Sequence, residues 1–130
     1  MYSLGKWRDV KMATKNKEST RYYSDFHEKS VCKALNGRQN SNSGAGKFVK
    51  GDVTIPQCNL LIECKTTMVP KESVSIKKEW IVKNKQEAFA TRKDNSIICF
   101  NFEPNGENLY IISEKLMKYL CNKLEEDYAD

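Results

Sequence analysis

Asp52, Glu63 and Lys65 are the residues whose types and spacing could do chemistry. Two short apolar runs, Val53-Thr54-Ile55 and Leu60-Leu61-Ile62, flank a turn-like Pro56-Gln57-Cys58-Asn59. This pattern predicts a β-hairpin with a four-residue loop. If Ile55 pairs with Leu60, Val53 faces Ile62 and Asp52 lies opposite Glu63. Facing residues have Cβ atoms about 5 Å apart, where like charges repel. Strand alternation puts Lys65 on the face of Glu63. One face of an otherwise apolar hairpin then carries two acids and a lysine, an arrangement that a divalent cation shared by the carboxylates would explain. The competing reading is a solvated face, the usual fate of charges on a strand. The run Leu60-Leu61-Ile62 speaks against it, because it reads as a strand buried on both sides.

Other elements must position these residues. Ser24 is a plausible N-cap with Asp25 in the first turn, so a helix is expected to start there. Val31, Cys32 and Leu35 form its apolar stripe, and Glu28 sits at the spacing that extends the stripe. An acid on that side needs a partner or a cation. His27 is a candidate general base by type, but a lone histidine is more often a satisfied or surface residue. Residues 37–47, with Gly44-Ala45-Gly46-Lys47, read as a flexible loop. They do not form a phosphate-binding P-loop, since Ser41 stands where the first glycine belongs and Phe48 follows the lysine. The loop would carry Arg38, Ser43 and Lys47 toward whatever the carboxylates hold.

A long helix is expected from about Val74 to Arg92, with Ile76, Trp80, Ile81, Ala88 and Phe89 as an imperfect apolar face. Lys78, Lys85 and Arg92 recur every seventh residue and share one stripe, either a solvated face or a phosphate track. Gln86 in the same helix points at the site or at solvent. Ser96 to Phe102 and Leu109 to Ile112 read as strands separated by the turn Pro104-Asn105-Gly106. Ser113 caps a last helix through about Leu124, and the acidic residues 125–130 read as a loose tail. Residues 1–23 form a basic arm, either a frayed leader or a segment that reaches phosphates. The order of elements is that of a small α/β domain with a mixed central sheet.

With 130 residues the chain should be one domain with a single core. Its net charge of +5 suits an anionic partner without demanding one. The five cysteines include no Cys-x-x-Cys pair and His27 is the only histidine, which argues against a zinc site. No signal peptide or membrane span is visible, and unpaired cysteines fit a reducing cytoplasmic compartment.

Glu28 on a first helix, Asp52, ten intervening residues, Glu63-x-Lys65 on the next strand and a following basic helix together resemble the PD-(D/E)XK nuclease superfamily. Within it the likeness is to archaeal-type Holliday junction resolvases, and it runs from about Glu28 to Ile112. The resemblance implies a restriction-endonuclease-like core, a mixed central β-sheet flanked by helices. It also implies a Mg2+- or Mn2+-dependent endonuclease that cuts DNA, in particular four-way junctions, as a homodimer. Asp52, Glu63 and the Cys64 carbonyl match the metal ligands, with Glu28 joining through water. Lys65 matches the lysine that positions the attacking water. Ser43 and Gln86 are looser matches to a loop serine and a helix residue of some relatives, while Arg38, Lys47, Lys78, Lys85 and Arg92 would meet DNA. Gly51 departs from the superfamily's proline, and the long basic leader is no part of the small resolvase pattern. Alternatives are a restriction-like, nicking or end-processing nuclease, and a catalytically silent nucleic-acid-binding protein of the same fold.

Overall fold

The computed structural model describes residues 17–40 and 51–129. Ser43, Lys47 and most of the basic arm, residues 1–16, lie outside the described residues. The described elements are α1 (Lys17–Leu35), β1 (Arg38–Gln39), β2 (Val53–Ile55), a 3-10 turn (Pro56–Cys58) and β3 (Leu60–Lys65). They are followed by α2 (Lys78–Ala90), β4 (Asn95–Phe100), β5 (Leu109–Ile111) and α3 (Glu114–Ala129). The chain is therefore mixed α and β, as its patterning predicts.

The five strands form one sheet in the order β1-β2-β3-β4-β5. Only β3 and β4 run parallel. Parallel neighbours need a crossover, and α2 provides it. The hairpin register is the expected one, with Val53 opposite Ile62 and Ile55 opposite Leu60. Its turn closes on Asn59, which takes the left-handed φ of 53°. Leu61 and Ile62 point to opposite faces of the sheet and both are buried, so β3 is covered on two sides.

On one face, Val31 of α1 packs against Val53, Ile55, Ile62, Ile97 and Cys99. On the other, α2 buries Asn84 and Ala88. Burial of the valine and isoleucine side chains among them, each contributing about 1.5–3 kcal/mol, holds the layers together.

Several boundaries differ from the sequence expectation. The first helix begins at Lys17 rather than near Ser24, because Lys17 to Arg21 contains no breaker and Lys, Glu and Arg are good helix formers. Arg38 and Gln39, read as loop, form a short edge strand on β2. Asn40 extends that pairing by donating its main-chain N–H to Asp52 O at 2.8 Å and accepting the Thr54 hydroxyl at 3.0 Å. Helix α2 starts at Lys78, not Val74, because Lys77 is extended (φ −84°, ψ 132°) and the preceding Val74-Ser75-Ile76 has weak helix propensity. Ser113 does cap α3, accepting the Leu116 N–H at 3.1 Å. The helix then continues through the acidic residues to Ala129, supported by a Lys123–Glu126 pair at 3.2 Å. No described helix is long and apolar enough to cross a membrane.

Candidate functional site

Asp52 stands immediately before β2, and its N–H donates to Ile62 O at 3.1 Å. Ile62 is the register partner of Val53, so this bond ties the entry of β2 to β3 one residue before the ladder begins and leaves Asp52 close enough to Glu63 to feel its charge. Gly51 makes this entry possible. Its φ is +75°, and a Cβ there would come within 2.8 Å of the Leu61 side chain. Proline, with φ near −65°, has no place at this position.

Asp52 Oδ2 accepts the Cys64 main-chain N–H at 2.7 Å. Even so, burial and then the charge of Glu63 push the Asp52 carboxyl up to about 7, with Glu28 adding to the effect. The opposing influences are the Cys64 N–H and Lys65. Glu28 is also raised, first by burial and then by Asp25 and Glu63, although Gln39 donates to it. Three acids from α1, the entry to β2 and β3 therefore sense one another. Desolvation and like charge are the causes, and a cation held between the carboxylates would offset both by its own attraction for their charged forms.

Among the described residues, Lys65 is the counter-charge that acts on Asp52. Its Nζ is 3.3 Å from Glu63 Oε2 and 4.6 Å from the centre of the Trp80 ring. Lys77 lies 5.9 Å from the same ring. Trp80, read from the sequence as part of an apolar helix face, thus forms the platform on which Lys65 rests. Gln39 was likewise missed. Its Nε2 donates to Asp25 Oδ1 at 2.8 Å and to Glu28 Oε1 at 3.0 Å, so it orients the helical acid. The edge strand that delivers Gln39 has no sequence signal of its own, whereas a crossover returning over the end of β3 could have pointed to the first turn of α2.

His27 is a buried structural residue. Its Nε2 donates to Asn108 Oδ1 at 3.0 Å and lies 3.5 Å from Cys99 Sγ. Asn108 in turn donates to Ser30 Oγ, which donates to the His27 carbonyl. Cys64 and Cys99 are partners across β3 and β4. The hydrogen bond between them raises the Cys64 thiol and lowers Cys99. This network occupies the α1 side of the sheet, while Glu63 and Lys65 lie on the α2 side.

The remaining candidates scatter. Arg38 is exposed on β1, and Gln86 is exposed on α2 rather than turned to the acids. Lys78 is exposed at the end of α2 that carries Trp80 and hence Lys65. Arg92 sits at the other end, where its carbonyl accepts the Asn59 amide at 3.0 Å beside the start of β3. Since β3 spans about 17 Å, the stripe Lys78–Lys85–Arg92 leads away from the carboxylates.

Among the described residues, no group of three or more His, Cys, Asp or Glu side chains is arranged to hold a metal ion. The set implied by the sequence resemblance is of another kind, two carboxylates and a main-chain carbonyl. Asp52 fits such a role. It is an acid held largely out of water against a second acid, with one oxygen on a main-chain N–H and, among the described residues, no hydrogen-bond donor on the other, which suits a proton or a hard cation.

No protein-family model, curated protein or solved structure matches this chain.

Proposed function

We propose that this protein is a metal-dependent endonuclease with a restriction-endonuclease-like core, hydrolysing DNA phosphodiester bonds in four-way junctions. The observation that carries the reading is the gathering of Asp52, Glu63 and Lys65 at one end of the hairpin, with Asp52 Oδ2 held by the Cys64 N–H at 2.7 Å, Lys65 Nζ 3.3 Å from Glu63 and the Asp52 carboxyl raised by burial and by Glu63. Asp52, Glu63 and the Cys64 carbonyl would hold Mg2+ or Mn2+, with Glu28 behind them. A cation there would supply Lewis acidity toward the phosphoryl oxygen and a more acidic water.

The chain's own residues do the rest. Lys65, resting on Trp80, would bind a phosphate oxygen and orient the attacking water. Gln39 holds Glu28 in place, and the exposed Lys78 lies near enough to receive the DNA backbone. The net charge of +5 favours such a polyanion.

The test is incubation of labelled four-way junction, linear duplex and single-stranded DNA with magnesium, manganese or chelator, with Asp52→Asn in parallel. Paired symmetric nicks, absent with chelator and with the variant, are the expected result. Equal cutting of all substrates would demote the protein to a restriction-like, nicking or end-processing nuclease.

One observation favours a second reading. Lys65 is already paired with Glu63, an arrangement that also suits a catalytically silent nucleic-acid-binding protein. Binding without cleavage in any metal would select it.

A further inference from the structure

Helix α3 leaves the body of the protein with an apolar stripe uncovered. None of its residues is buried, and Met117 (53% exposed), Leu120 (41%), Leu124 (54%) and Tyr128 (86%) recur at helical spacing. Cys121, also exposed, completes the stripe at its middle. Leu116, which packs against the core, lies one turn before Leu120 and about 40° from it around the helix, so it marks the inner edge of the stripe, and the residues beyond that edge are left exposed. A stripe of this width on a four-turn helix has the pattern of a helix–helix contact.

The charges on α3 say which partner fits. Lys115 and Lys118 follow Glu114 in its first half, while Glu125, Glu126 and Asp127 crowd its last turns, where Lys123 pairs with Glu126 and the final turn holds no basic residue. Acids at a helix C-terminus are unfavourable, because the last carbonyls are already partly negative. A second α3 running antiparallel would bring its N-terminal end, with its lysines and positive dipole, alongside those acids. A parallel copy would set acid against acid.

We infer that α3 is the self-association surface of this protein, pairing antiparallel with α3 of a second copy about a two-fold axis near Cys121. In that arrangement Met117 packs on Leu124 of the partner subunit. Lys118, on the flank of the stripe, meets Glu125 of the partner subunit. Such pairs occur twice, as an isologous interface requires. In the present structure neither Lys118 nor Glu125 makes an ion pair within the described residues. A single helix pair about 24 Å long belongs at the small end of specific interfaces, so dissociation in the micromolar range is expected. The inference names the surface that paired cutting of a junction would need. It is read by molecular mass rather than cleavage, so either proposal can fail without the other.

The test is sedimentation equilibrium of the full chain over a dilution series through the micromolar range. The wild type should approach twice the monomer mass at high concentration. Leu124→Glu should remain a monomer throughout, with an unchanged circular dichroism spectrum, since the side chain is exposed. Lys118→Glu and Glu125→Lys should each weaken association about tenfold or more, and the double exchange K118E/E125K should restore most of the loss. A wild type that stays monomeric would overturn the inference. So would a dimer indifferent to Leu124→Glu, or a double exchange no better than the single variants.

Discussion

Asp52 accepts a 2.7 Å hydrogen bond from the main-chain N–H of Cys64, one residue past Glu63. The bond fixes one oxygen of the carboxylate against the sheet. It leaves the group close to Glu63, and burial with that neighbouring charge outweighs the stabilising N–H.

The first consequence concerns pH. The Asp52 carboxyl moves from an ordinary 3.8 to about 7 on folding, so the folded state favours its protonated form. The associated stability is present below pH ~4, fades between pH ~4 and ~7, and is absent above. Its size is at most ~4 kcal/mol and is reduced by relaxation and residual water. Asp52→Asn should flatten the pH dependence of the urea midpoint over this window and stabilise the protein at pH 8. An unchanged pH profile would show that the Asp52 carboxyl does not carry the burden.

Metal addition should act on the same strain. At pH 8, millimolar Mg2+ or Mn2+ should raise the Tm of the wild type by a few degrees, on the order expected when ligand exceeds Kd severalfold. Asp52→Asn and Glu63→Gln should lose that increment. Differential scanning calorimetry with and without chelator checks this independently of any DNA substrate.

Trp80 should matter through Lys65. Removing a ring 4.6 Å from the ammonium forfeits about 1–2 kcal/mol of positioning. If the protein cleaves DNA, Trp80→Leu should lower kcat roughly five- to thirtyfold with little change in DNA affinity. Single-turnover kinetics beside filter binding separates the two, and a drop in affinity alone would deny Trp80 its positioning role.

The direction of the basic stripe gives an asymmetric expectation. Lys78→Ala should reduce the salt dependence of DNA binding by about one phosphate contact. Arg92→Ala, at the far end of α2, should leave it nearly unchanged. Equal effects would mean that DNA follows the whole helix.

Gly51→Ala should destabilise the protein by about 2 kcal/mol or more, because alanine disfavours a φ of +75° and its Cβ would press on Leu61. Urea unfolding would show it as a lowered midpoint.

Much of this was legible in the chain itself. The period-two pattern around Pro56-Gln57-Cys58-Asn59 determined the hairpin and its register, because a slip of one residue would turn Val53 and Ile62 out of the core. Ser113 announced its helix by capping chemistry, and the apolar runs determined a mixed sheet between helices. What tertiary structure alone decided were meetings between elements distant in sequence. Gln39 reaches Glu28 because an edge strand completes β2, Trp80 meets Lys65 because the crossover returns over the end of β3, and His27 finds Asn108 81 residues away. Local periodicity encodes which face of an element is buried, but not which partner fills it. That choice is made when the layers pack, and here it set the lysine on the tryptophan and aimed the far end of the basic stripe away from the acids.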